Sequence, residues 1–397
     1  MKIDPHFGTN DNFRKFVNEA HDRGIRIIID CAFNHTGETY FAFQEGMKKG
    51  PKSDYYDWYE WLKWPMPNPN KTLSYKPSDY YRCWWGYGEM PDLNYDLNEI
   101  NPSENSIKDI DLASPNWPVV NHILDVAEYW VSDMNIDGFR LDVPNEVPFW
   151  FWKLFRERVK TIKPDAYLVG ELWSNATDWV NDDYFDAVMN YAYFKDPVMR
   201  FFNQRSCTAK DFDRDLKPGR FSYPVQSTQV MMNLIDSHDT FRYLESCNGD
   251  ISRLKIAVLF QMTYIGTPHI WYGDEIGMMG AHDPDCRRPF NWKYVDESNK
   301  VSLKEFYKEL IHIRRENTCL RTGTFKTLIA DGMIYGYIRS DEESSIVVII
   351  NNDTKRNKID IPLDKKNMLD LLTNTEYVIK EGILEIELDA MSGAILK

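Results

Sequence analysis

The sequence lacks several things: a long apolar run, a Cys-x-x-Cys pair, a block of basic residues, an internal repeat and a low-complexity tract. Each absence closes off a class. With no apolar stretch approaching about 18 residues, no membrane span is indicated. The opening residues, MKIDPHFGTND, have no apolar core of the kind a secretion signal carries. The six cysteines, at 31, 83, 207, 247, 286 and 319, are scattered along 397 residues. They read as reduced core thiols of a cytoplasmic protein, not as a disulfide framework. Lys and Arg number 47 against 61 Asp and Glu, a net charge of −14. An acidic chain without basic runs repels phosphate backbones, which argues against a nucleic-acid partner.

What is present is more telling. The chain is too long for one ordinary core and fits one large domain plus a smaller one. It carries 13 Trp and 23 Tyr, more than a core usually needs. Partly exposed rings stack on the apolar faces of sugars, although any single ring serves equally well as core packing.

Short apolar runs alternate with amphipathic stretches. Ile25 to Cys31, Gly138 to Leu141, Tyr167 to Gly170, Ala187 to Met189, Met231 to Ile235 and His269 to Tyr272 are candidate strands. Between or after them lie candidate helices at Asp11 to Arg23, Val119 to Met134, Pro148 to Ile162, Ile251 to Tyr264 and Leu303 to Arg315. Apolar strands alternating with helices imply α/β architecture with a covered parallel sheet. A segment from about 36 to 106, rich in Pro, Asn, Tyr and Trp, breaks the rhythm. An excursion this long is uncommon unless functional. Beyond about Cys319, alternating runs such as Met333 to Ile338, Ser345 to Ile350 and Ile383 to Leu388 predict a small antiparallel β domain.

Polar residues gather where the candidate strands end. The strand ending at Asp30 runs into CAFNH, with Asn34 and His35 just beyond. GFRLD places Arg140 and Asp142 two apart, hence on one face of an extended chain. VGELW carries Glu171, and NLIDSHD carries His238 and Asp239. In a parallel barrel all these ends meet on one rim. Glycosidic cleavage needs one protonated carboxyl and one ionised carboxylate. Like charges raise one pKa, and Arg140 beside Asp142 favours the ionised form there.

DCAFNH, GFRLDVPNE, VGELW and NLIDSHD, in this order, resemble the four signature regions of the α-amylase family, glycoside hydrolase family 13. The resemblance covers most of residues 1 to 320. It implies a TIM-type (β/α)8 barrel with a domain inserted after the third strand, about 36–106, and a C-terminal β domain at 321–397. It implies a retaining mechanism on α-1,4-linked glucans: cyclodextrins, maltooligosaccharides, pullulan or starch. Asp142 resembles the nucleophile, Glu171 the acid/base and Asp239 the third carboxylate. His35 and His238 resemble the histidines at the reacting sugar. MPDLN, Met90 to Asn94, is one residue from the MPKLN signature of the neopullulanase, cyclomaltodextrinase and maltogenic amylase group, with Asp92 in place of Lys. Asn145–Glu146 also resembles that group. This ending replaces the Lys–His pair that provides a calcium link in typical α-amylases, so no calcium or other cofactor is expected. HDPDCRRPFNW resembles a sugar-binding loop, with Asp283 and Arg287 at the matching positions.

Bland readings stand beside these. Asp239 before Thr240 could cap a helix. Asp30 and Asn34 read as structural, holding Arg140 and the strand end. Trp173 either stacks on a sugar or plugs the rim. Glu146 either caps a helix or touches substrate. Asp283 and Arg287 fit a plain loop ion pair equally well, and Trp84 and Trp85 read as packing of the inserted segment. By resemblance the chain starts after the second barrel strand, leaving six candidate strands of eight. Homo-oligomerisation is left open. A transglycosylase is a close variant, and a non-catalytic binding or partner module, or an inactive fragment, is the alternative.

Overall fold

The computed structural model describes residues 1–65, 76–98, 107–296 and 298–397. Two compact units emerge: residues 1–172 with 178–188, and residues 173–177 with 189–397.

The first unit is built on a parallel sheet in the order β1-β2-β3-β4: Ile28–Ala32, Gly138–Asp142, Tyr167–Gly170 and Ala187–Val188. The central strands are buried, as expected for apolar runs covered by helices. Their register pairs Asp30 with Arg140 and Arg140 with Val169. Gly138 opens β2 at φ 150°, where an added Cβ would lie 2.0 Å from the Tyr167 carbonyl oxygen. Only glycine permits that approach.

Helices α1 (Asn10–His21), α3 (Trp117–Ser132) and α4 (Phe149–Ile162) belong to this unit, as does α2 (Phe41–Lys49) within the aromatic segment. A reciprocal capping box between Thr9 and Asn12 starts α1. Trp150, Phe151, Trp152, Phe155 and Val159 form the buried face of α4. Beyond α2, the described residues of the 36–106 segment form short 3-10 turns and isolated bridges, such as Tyr59 to Leu93 and Cys83 to Pro91. Residues 66–75 and 99–106 of it lie outside the described residues.

In the second unit β5 (Met232–Asn233) and β6 (Thr267–Pro268) pair in parallel. The sixth strand is therefore Thr267–Pro268, and the candidate run His269 to Tyr272 lies beyond it and forms no strand. Helices at Ala209–Phe221, Ile251–Thr263 and Ser298–Glu316 belong to the same unit. Their core contains Phe202, Phe212, Phe260 and Tyr335. The C-terminal residues form an antiparallel sheet, β14-β9-β8-β7 (Ser392–Leu396, Ser345–Asn351, Ile334–Ser340, Thr324–Asp331). Two further antiparallel pairs are β10–β13 (Asn357–Pro362, Ile383–Leu388) and β11–β12 (Asn367–Leu369, Glu376–Val378). Burial alternates along β10 and β13, so one face of that pair is covered. All six cysteines are free thiols. Among the described residues no helix is long and apolar enough to cross a membrane.

Candidate active site

The first unit assembles a charge cluster from three adjacent strands. Arg140 on β2 is almost fully buried. Its Nη1 donates to Asp30 Oδ1 at 2.8 Å and to Asp142 Oδ1 at 2.5 Å, and its Nη2 lies 3.1 Å from Glu171 Oε2. Parallel pairing explains the convergence. Asp30 sits beside Arg140 in register, Asp142 follows two residues later on the same face, and Glu171 follows Val169 by two on the next strand. Burial works against the Arg140 charge, but Glu171, Asp30 and Asp142 outweigh it and raise its pKa. Arg140 thus serves both carboxylates, not Asp142 alone.

Val143 follows Asp142 in the left-handed region, φ 33° and ψ 51°. For a β-branched residue this conformation costs on the order of 1–3 kcal/mol. It brings the Val143 N–H to Glu171 Oε2 at 3.2 Å. The turn after one carboxylate therefore binds the other.

A second layer lies beyond His35. Burial lowers the pKa of His35, opposed by the Asp142 charge. Its ring lies 5.7 Å from that of Trp84. Asn34, 2% exposed, donates to Asp92 Oδ1 at 3.3 Å and to Glu146 Oε2 at 3.4 Å. Asp30 thus holds Arg140 as expected, whereas Asn34 is turned to a different pair of carboxyls. Burial, then the nearby Glu146, pushes the Asp92 carboxyl up to about 7, against Asn34 and Arg82. Burial also raises Glu146. Glu146 does not cap α4: it closes a 3-10 turn, and its Oε1 accepts the Trp85 indole N–H at 3.1 Å. The reading of Trp85 as a packing residue is overturned, because it is 79% exposed. Trp84 is half-buried.

The second unit holds the remaining candidates. Asp239 does not cap a helix. Its Oδ1 accepts from Arg287 Nη2 at 3.0 Å, and its Oδ2 lies 3.0 Å from His238 Nε2. Arg287 Nε also donates to the His238 carbonyl and pairs with Asp283 Oδ1 at 2.9 Å. The expected loop ion pair exists, and it is tied to Asp239. Trp173, half exposed, stacks on Tyr191 at 4.1 Å and 9°. The Tyr191 hydroxyl in turn donates to Ser237 at 3.1 Å.

Sequence reasoning passed over the base of this segment. Asp236 and Asp274 are buried with Arg242, whose Nη1 donates to Asp274 at 3.1 Å, while the Tyr243 N–H donates to Asp236 at 2.6 Å. Burial drives both carboxyls up, against the Arg242 charge. The NLIDSHD motif contains Asp236, but nothing in the residues around Asp274 marks it as its partner.

Among the described residues no group of three or more His, Cys, Asp or Glu could hold a metal ion. The family model for the α-amylase catalytic domain matches residues 1–313. The chain is 40% identical over 401 residues to Neopullulanase 2 of Thermoactinomyces vulgaris, covering 100% of this chain and 64% of that one. It is 40% identical over 392 residues to a cyclomaltodextrinase of Thermoanaerobacter pseudethanolicus, covering 95% and 63%. A solved cyclomaltodextrinase superposes with a TM-score of 0.86 at 36% identity, covering 100% of this chain and 64% of that one. The chain thus spans just under two thirds of these relatives' length.

Proposed function

The chain belongs to the α-amylase family, and from that premise we propose that it is a retaining glycoside hydrolase of α-1,4-linked glucans. The family fold is a TIM barrel with a C-terminal β domain. We read residues 1–320 as the barrel part, with β1 as its third strand and 36–106 as the segment inserted after it. Residues 321–397 are then the β domain.

The observation that carries the reading is the buried Arg140, within 3.1 Å of both Asp142 and Glu171 at adjacent strand ends. Arg140 engages Asp142 Oδ1, which leaves Oδ2 to attack the anomeric carbon. As that bond forms, the glycosidic bond breaks and the Glu171 proton passes to the leaving oxygen. Water then gives its proton to Glu171, and its oxygen displaces Asp142 from the sugar. Asp239 takes the role of third carboxylate, with His35 and His238 as sugar contacts. Asp283 and Arg287 are further sugar-binding positions, and Trp173 is a stacking ring. This chemistry uses side chains alone, without a cofactor. Relatives named neopullulanase, cyclomaltodextrinase and intracellular maltogenic amylase support α-glucans as substrates and an intracellular setting.

Product analysis on cyclodextrin, pullulan and starch tests the reading, with the anomer first released followed by NMR. The expected product is the α-anomer. Release of the β-anomer, or no cleavage of any of the three, overturns it. Asp142→Asn should lose several orders of magnitude in turnover on maltooligosaccharides while binding stays near normal, since the lost interaction belongs mainly to the transition state.

A further inference from the structure

We propose that Trp85 is a specificity-determining residue whose exposed ring stacks on a glucosyl unit of the bound glucan, away from the scissile bond. The inference rests on the reading of the chain as an α-glucan hydrolase.

Three observations converge on this indole. It is 79% exposed, so it packs no core. Its backbone is left-handed, φ 52° and ψ 22°, and Gly86 follows at φ 84°. A bulky residue held in that region is an outlier of the kind that accompanies function. Its N–H is bonded to Glu146, only four residues beyond Asp142, which makes Glu146 a positioning residue for the ring.

The surroundings suit a sugar. Trp85 borders a cavity of about 300 Å³ also lined by Leu62, Asn34, Arg82, Asp92 and Glu146. A pyranose has an apolar C–H face and a rim of hydroxyls. The ring answers the face, while an amide, a guanidinium and two carboxyls answer the rim. Arg82 is itself fixed by Glu60 at 2.8 Å. A row of rings connects this place to the nucleophile. His35, which feels the Asp142 charge, lies 5.7 Å from Trp84, and Trp84 lies 5.9 Å from Trp85. A glucan chain with one unit at Asp142 would meet Trp85 further along its length.

The test compares maltoheptaose with maltotriose. In Trp85→Ala the ratio of their kcat/KM values should fall about tenfold, the effect of losing one aromatic contact. Trp85→Phe keeps a ring and should hold the ratio within about threefold of the original, which also guards against a folding artefact. Calorimetric binding of maltoheptaose to the Asp142→Asn chain, with and without Trp85→Ala, should show the same loss without turnover. An unchanged ratio in Trp85→Ala overturns the proposal, as does Trp85→Phe falling as far as the alanine variant. Trp85-dependent binding in a chain that cleaves no α-glucan sinks the hydrolase reading and leaves this one standing. Absence of any maltoheptaose binding overturns both.

Discussion

Replacing Asp92 by Asn removes a carboxyl that the fold holds at about 7 instead of 3.8. The folded chain binds this proton more tightly than the unfolded one. Asp92 therefore costs nothing below about pH 4, where both states are protonated, and its penalty grows as pH rises through 7. Three pKa units correspond to about 4 kcal/mol. The carboxyl is partly exposed and relaxes toward water on ionising, so we expect Asp92→Asn to stabilise by about 1–3 kcal/mol at pH 8.5 and by almost nothing at pH 4. The amide oxygen can still accept from Asn34. Urea unfolding followed by tryptophan fluorescence suits the measurement, because ten of the 13 Trp lie in the first unit. The midpoint shift should open between pH 4 and 8 at constant slope. A gain equal at all pH values, or a loss at pH 8.5, refutes the argument that burial and Glu146 jointly suppress this charge.

Two other perturbations read different parts of the same unit. Arg140→Met leaves Asp30, Asp142 and Glu171 without their cation and should cost about 3–5 kcal/mol at pH 7. A near-native urea midpoint would show that the cluster does not depend on Arg140. Gly138→Ala drives a methyl to 2.0 Å from the Tyr167 carbonyl. It should lower the urea midpoint by the equivalent of about 3 kcal/mol or more, or prevent folding. A near-native midpoint would mean that β2 and β3 can part without penalty.

The strands bearing the central carboxylates were the most legible elements. GFRL and YLVG are apolar runs bounded by glycine or a charged residue, and they fold as Gly138–Asp142 and Tyr167–Gly170. The edges were harder. The apolar run from Ile25 becomes a strand only at Ile28, and Met231 to Ile235 yields just two paired residues. The helix at Ala209–Phe221 hid behind its Pro218 and its seven charged residues. Arg140 and Asp142 could be paired from their spacing, but the contact of Arg140 to Glu171 depends on the register of the next strand. Asp92 stood out only as a replacement. Its partnership with Glu146 joins two segments that no periodicity connects. Trp85 looked like packing because composition records a ring and not the turn that turns it outward.

Arg140 also bears on how the sheet finds its alignment. It is tied to Asp30 on one neighbouring strand and approaches Glu171 beyond the end of the other. Sliding either neighbour by one residue would send its carboxylate to the opposite face and leave a buried guanidinium with one partner fewer. The group that organises the proposed chemistry therefore also discriminates against misaligned pairings of three parallel strands. Redesign of this cleft that discards Arg140 would have to supply another means of choosing among those alignments.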